Sequence, residues 1–369
     1  MTNKPLLLIA TNHSYMFYRF RKELVLALLP YFRIVLSTPL VGHENDLKDM
    51  GIDVCSTLMD RRSVNPFKDL KLLRFYTRLI NELKPDAVLT FSIKPNVYLG
   101  MVCAQKGIRY FSHVQGLGSA FEKKGLASIA RQMYQFGLRH SEAIFFENEY
   151  DQNYFVTRNL ISPNKAVLLP GAGVSLSEFS YVEFPNNPAP RILYLGRLMK
   201  EKGTDELLTS LENLHRQNEQ FVFDFAGFEE ENYQGRINKL VKEGICVIHG
   251  FVSDPRPLLA QADLVVLPSW HEGMSNVILE AAATGRPVIT TDIPGCHESV
   301  EDQITGFLIP AKDQQALEAS IKRALHLPKS ELEVMGRKAR EKMVSEFSKD
   351  EVVAKTVSVI RNKVYNLSQ

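Results

Sequence analysis

In the first 150 positions, apolar residues fall into short runs rich in β-branched and aromatic side chains, separated by longer stretches where they recur every three or four residues. The runs Leu6–Ala10, Arg33–Ser37, Ala87–Phe91, Arg109–Ser112 and Ala143–Phe146 read as strands, with helices between them. Such short, apolar runs suit strands buried on both faces, and their alternation with helices predicts a doubly wound α/β domain with a parallel sheet. The pattern then occurs again. Ile192–Leu195, Phe221–Phe225, Ile245–Ile248, Leu264–Leu267 and Val288–Thr290 form a second series of the same kind.

Between the two series lies Phe184–Pro190, F-P-N-N-P-A-P, whose three prolines and two asparagines continue neither a helix nor a central strand. The linker is placed there, with a hinge beginning near Pro170. The expected division is residues 1–170, residues 171–345 and a terminal segment 346–369. Ser330–Asn366 has helical periodicity, and its end is expected to cross back to the first domain. Open parallel sheets bind ligands beyond the carboxyl ends of their strands, so two such Rossmann-like domains are expected to face each other across a cleft.

Composition narrows the function. A length of 369 residues suits two domains, and 44 Lys and Arg against 42 Asp and Glu give a net charge of +2, which offers no footprint for nucleic acid. The cysteines Cys55, Cys103, Cys246 and Cys296 are far apart and form no C-x-x-C pair, which points to a cytoplasmic protein without zinc or disulfide chemistry. Leu6–Ala10 is too short for a signal-peptide core, Leu24–Leu29 is stopped by Pro30, and no run approaches the ~20 apolar residues of a membrane span. There is no D-x-D, and the nine histidines show no ligand spacing, so neither a metal nor a cofactor is expected. The segment Thr11–Tyr15 lacks the G-x-G-x-x-G of a dinucleotide site, and no P-loop motif is present.

Two motifs carry chemistry. The segment His271–Pro287, H-E-G-M-S-N-V-I-L-E-A-A-A-T-G-R-P, follows the strand Leu264–Leu267 and reads as a loop entering a helix capped at Ser275 or Asn276 and ended by Gly285 and Pro287. The amides of Gly273, Met274, Ser275 and Asn276 at that helix start suit a diphosphate, with Glu280 one turn inside for ribose hydroxyls and Glu272 in the loop for a sugar. An acidic residue favoured by the helix dipole on a solvated face accounts for the same pattern equally well. The second motif, Gly196-Arg197-Leu198-Met199-Lys200-Glu201-Lys202-Gly203, follows the strand Ile192–Leu195 and precedes a helix capped by Thr204. Arg197 and Lys202 there suit a leaving diphosphate, on which charge builds as a glycosidic bond breaks. Taken singly, each also reads as an ordinary surface cation; their coincidence with Glu272 and Glu280 favours a site.

Glu272-x7-Glu280, Gly196-Arg197-x4-Lys202-Gly203 and Pro170-Gly171-Ala172-Gly173-Val174 resemble the signatures of glycosyltransferase family 4, enzymes of the GT-B fold, over nearly the whole chain. The resemblance implies retaining, metal-independent transfer, with residues 1–170 binding the acceptor, residues 171–345 the nucleotide-sugar, and helix 346–369 packing on the first domain. It assigns Arg197 and Lys202 to the diphosphate, Glu280 to the ribose, Glu272 to the donor sugar, and the backbone near Phe251 and Val252 to the base.

In the first domain, Phe111–Phe121 closes a strand with a glycine-rich turn containing Gly116 and Gly118. Many members of that family carry a histidine just before the first glycine. Here Gln115 stands there and His113 two residues earlier, which makes His113 a catalytic candidate with a structural role as the alternative. Asn12, His13 and Arg19 are candidates for the acceptor diphosphate and Lys94 is a further acceptor-side candidate, each also explicable as a polar loop residue. The element Phe20-Arg21-Lys22-Glu23-Leu24 resembles family members that glycosylate lipid-linked intermediates of bacterial surface polysaccharides. That likeness implies a UDP-sugar donor, a hexose or N-acetylhexosamine, and a polyprenyl diphosphate-linked acceptor. Met59–Arg78 holds six Lys or Arg against two Asp, and Phe121–His140 four against one Glu, with aromatics interleaved. In that context they predict peripheral docking on an anionic membrane; solvated helix faces are the alternative. A nucleotide-sugar epimerase of the same fold, or a non-catalytic binding protein, is the rival reading of the whole.

Overall fold

The computed structural model describes residues 4–59, 65–117 and 126–366. The chain forms two compact units, one made of Met1–Ala172 and Asp350–Gln369, the other of Gly173–Lys349.

The first unit holds a seven-stranded parallel sheet: β1 (Leu6–Ala10), β2 (Arg33–Thr38), β3 (Asp53–Ser56), β4 (Ala87–Phe91), β5 (Arg109–Val114), β6 (Ala143–Phe146) and β7 (Ala166–Leu168), in the order β3-β2-β1-β4-β5-β6-β7. The hydrophobic pattern predicts five of these. The edge strands β3 and β7 escape it because they are four and three residues long and half-exposed, too short to build an apolar run. The helix Ser14–Leu28 begins three residues before the expected Phe17, because His13 adopts an extended backbone and acts as its cap, its Nδ1 accepting a long 3.4 Å bond from Met16 N. Phe17, Leu24, Val25 and Leu28, spaced for one helix face, then pack on the sheet.

The second unit repeats the plan with β8 (Arg191–Leu195), β9 (Val222–Ala226), β10 (Cys246–Gly250), β11 (Leu264–Leu267), β12 (Val288–Thr291) and β13 (Gly306–Ile309), ordered β10-β9-β8-β11-β12-β13. β13 is a further edge strand that the pattern misses, four residues opening on a glycine.

Two boundary expectations change. Phe184–Pro190 is no linker but a strap on the second unit. Asn187 Nδ2 donates to Asp263 Oδ2 at 2.6 Å and to Gln261 O at 2.9 Å. Fully buried Arg286 donates to the carbonyls of Glu183, Leu259, Ala260 and Gly285. Burial lowers the Arg286 pKa to about 10, and four carbonyl oxygens stand in for a carboxylate. The stretch Ser330–Asn366 is two helices. Lys329–Glu346 places Leu332, Met335, Ala339 and Met343 in the second core. Lys349–Val364 places Val352, Val357 and Ile360 in the first, where each buried apolar side chain contributes about 1.5–3 kcal/mol.

Candidate active site

In the second sheet the strand order reverses between β8 and β11, and an open α/β sheet binds its ligand at such a crevice. The loops that leave these two strands carry both sequence motifs. Gly203, at φ +68°, stands so close to the β11 loop that a Cβ would lie 2.1 Å from Pro268 O. Trp270 N donates to Glu201 O at 2.9 Å. Held this way, Lys202 Nζ reaches Glu272 Oε1 at 2.6 Å, and Ser269 Oγ donates to the same oxygen at 2.8 Å. Arg197 pairs with Glu230 from the loop after β9. Thr204 is not the cap of the helix Thr204–Arg216, whose N-cap is Gly203; its buried hydroxyl bridges Met199 N at 3.0 Å and Met199 O at 2.8 Å, fixing the turn between the two cations.

Glycines let the neighbouring loops approach. A Cβ on Gly227 would lie 1.8 Å from Gly196 O, and Gly227 N donates to Gly250 O at 2.7 Å, so the loop of Phe251 and Val252 lies one contact beyond Arg197's own. Phe251 is exposed and Val252 partly buried. On the other side, Ser275 N donates to Gly295 O at 2.9 Å, and a Cβ on Gly295 would meet Gly273 O at 2.6 Å. Ser275 is the N-cap of the helix Asn276–Ala283; its own amide, expected to face the diphosphate, is spent on Gly295, but its side chain makes no capping bond to the first-turn amides, which suits an anion there. Met274 is buried in the core, and Glu280 is a buried residue of the same helix. Sequence reasoning missed Glu230 and Ser269: the first lies 33 residues from its partner, and the second is a plain serine two residues past a strand.

The first-unit candidates follow β1, β4 and β5 at the corresponding reversal. Asn12 and His13 leave β1, with His13 spent partly on its cap. Arg19 lies in the following helix, over the Phe20 ring. Lys94 is bound to Asp69 at 2.8 Å and largely buried, and the next residues form a π-helix, Pro95–Leu99. Ser92 Oγ donates to Gln115 Oε1 at 3.2 Å. Gly116 adopts φ +137°; Gly118 lies outside the described residues.

His113 is a correction. It is 1% exposed, stacked between Phe91 and Phe145 of the flanking strands, with Nδ1 3.6 Å from the Glu147 carboxylate that pairs with buried Arg21. Enclosed there, it has no face to offer a substrate. Burial first, then the Arg21 guanidinium, hold its pKa well below the usual value, while burial raises that of Glu147. Only the unfolded chain therefore takes up the histidine proton near pH 6.5. Stability is full above that pH and falls below it by up to about 1.4 kcal/mol per unit; Glu147, whose raised pKa lets the folded chain take up its proton first, acts in the opposite sense and is common to the native chain and the variant compared below. Thermal melts from pH 7.5 to 5.5 should show a steeper loss in the native chain than in His113→Phe, which keeps a ring between Phe91 and Phe145. Parallel curves would refute the assignment.

Two family models match the chain: glycosyl transferases group 1 over residues 189–326 and glycosyl transferase 4-like over residues 5–148. Each falls within one unit, and the first spans the cation loop Gly196–Gly203 and the segment Glu272–Glu280. The chain belongs to the family 4 glycosyltransferases. The transferase is 26% identical over 324 residues to the N,N'-diacetylbacillosaminyl-diphospho-undecaprenol alpha-1,3-N-acetylgalactosaminyltransferase of Campylobacter jejuni, covering 82% of this chain and 85% of that one. It is 26% identical over 309 residues to the UDP-Gal:alpha-D-GlcNAc-diphosphoundecaprenol alpha-1,3-galactosyltransferase of Escherichia coli, covering 78% of each. A glycosyltransferase structure from Rickettsia africae superposes with a TM-score of 0.78 at 19% identity, over 99% of this chain and 100% of that one, and shows the GT-B fold.

Proposed function

We propose that this glycosyltransferase moves a hexose or N-acetylhexosamine from a UDP-sugar to a polyprenyl diphosphate-linked saccharide, with retention of configuration and without a metal ion, in the assembly of a surface polysaccharide or glycan. The observation that carries the reading is the meeting of Lys202 with Glu272 at the β8/β11 reversal, beside the uncapped helix start at Ser275. Arg197, Lys202 and the first-turn amides bind the nucleoside diphosphate and stabilise charge as the sugar–phosphate bond breaks; these fixed cations supply what a divalent ion supplies elsewhere. Glu272 holds the sugar hydroxyls, Glu280 the ribose, and the chain near Phe251 and Val252 the base. The acceptor hydroxyl attacks the anomeric carbon from the face the phosphate leaves, and its proton passes to the leaving phosphate oxygen. No side chain then acts as general base, which suits the enclosure of His113. Undecaprenyl diphosphate in the names of two relatives supports the acceptor class, and UDP-Gal in one supports the donor.

Such an acceptor sits in a membrane. The helix Pro66–Leu83 exposes Lys68, Lys71, Arg74 and Arg78 behind Phe67, which is 79% exposed, and the helix Leu126–Leu138 exposes Ile129 and Phe136 ahead of Arg139. Cations beside exposed apolar side chains suit an anionic interface, and among the described residues no helix is long and apolar enough to cross a membrane. One assay tests the whole reading: a UDP-sugar, a polyprenyl diphosphate-linked acceptor and vesicles of anionic or neutral lipid, with the product linkage read by NMR. The expected product keeps the donor's anomeric configuration, EDTA leaves the rate unchanged, and neutral vesicles slow the reaction. An inverted linkage, loss of activity in EDTA or indifference to lipid charge would each remove the corresponding element.

A further inference from the structure

The diphosphate cation Arg197 does not stand alone. The loop after β9 reads Gly227-Phe228-Glu229-Glu230-Glu231, and its three consecutive carboxylates have three different tasks. Glu229 Oε1 accepts from the amides of Tyr233 and Gln234 at the start of the helix Gln234–Lys242, which makes it a structural cap. Glu231 Oε2 accepts from Lys200 N at 2.8 Å, and Leu198 N donates to Phe228 O at 3.0 Å, so this loop is stitched to the cation loop by its backbone. Glu230 bonds the Arg197 guanidinium through Nη1. Neither partner is deeply buried, at 37% and 19% side-chain exposure, so solvent and a competing anion can reach the pair.

A diphosphate carries like charge to Glu230 and seeks the same guanidinium. We infer that Glu230 is an internal competitor for the nucleoside diphosphate: it holds Arg197 between turnovers, weakens the binding of the product nucleotide and so speeds its release. The inference rests on the assignment of Arg197 to the diphosphate made above. The alternative role, a brace that holds Arg197 ready for the phosphates, predicts the opposite sign. Glu230→Gln separates the two, since the amide keeps an oxygen for Arg197 and removes only the charge.

The test is calorimetric titration of the full chain with UDP, GDP and ADP, using the native protein, Arg197→Ala, Glu230→Gln and the double variant. For the nucleotide that binds, Arg197→Ala should weaken affinity tenfold or more, and Glu230→Gln should tighten it by about two- to fivefold, the range set by a partly exposed ion pair. The tightening should shrink at high salt and vanish in the Arg197→Ala background. Unchanged or weaker binding in Glu230→Gln, with Arg197→Ala still impaired, overturns the competitor role and leaves the diphosphate assignment intact. Native affinity in Arg197→Ala overturns that assignment itself.

Discussion

Lys202→Ala should lower kcat/KM by about 10²- to 10³-fold, the loss expected when one charge-stabilising donor is taken from a transition state that sheds a phosphate. The structure gives that estimate its basis. Lys202 Nζ sits 2.6 Å from Glu272 Oε1 and is largely screened from solvent, so on the function proposed above its removal takes a cation from the leaving group and the partner from the carboxylate assigned to the sugar. The two losses share one contact, and Lys202→Ala with Glu272→Ala should cost less than the sum of the single changes. Steady-state kinetics on the three variants checks both points. A Lys202→Ala enzyme within threefold of the native one would place the diphosphate elsewhere.

Gly203→Ala should cost about 3 kcal/mol or more of stability in the second unit and abolish most transfer, a large effect for one methyl group. The residue sits at φ +68°, where an L side chain is strained, and its Cβ would lie 2.1 Å from Pro268 O and 2.9 Å from Pro268 C, against backbone that has little room to retreat. Any accommodation pushes the cation loop away from the loop that ends in Glu272, and the distance between Lys202 and Glu272 opens with it. Denaturant unfolding and activity on the same sample check the link. Near-native stability and activity in Gly203→Ala would show that the two loops are free to separate.

Glycine needs of this kind mark the limit of sequence reading. Arg197, Lys202, Glu272 and Glu280 stand out in the sequence as candidates because each lies in a short segment where a buried strand gives way to a polar loop and a helix, and strand, loop and helix are local signals. The glycines at 203, 227 and 295 stand beside Pro268, Gly196 and Gly273, contacts set by the sheet order rather than by spacing along the chain. Glu230 and Arg197 meet for the same reason, as do Arg21 and Glu147, 126 residues apart. His113 shows a different limit: alternation along β5 indicates a shared face but not that Phe91, Phe145 and Arg21 cover it. The prolines at 185, 188 and 190 break regular structure as their type implies, but composition does not separate a strap from a linker, and only the bonds of Asn187 and Arg286 place the segment on the second unit.

The most direct test of the central claim is release of nucleoside diphosphate from UDP-, GDP- and ADP-sugars, with and without a polyprenyl diphosphate-linked saccharide. The account predicts that one donor is consumed, that release requires the acceptor, and that the acceptor gains the mass of one sugar. Isomerisation of the donor without acceptor, or tight donor binding with no turnover under either condition, would contradict it.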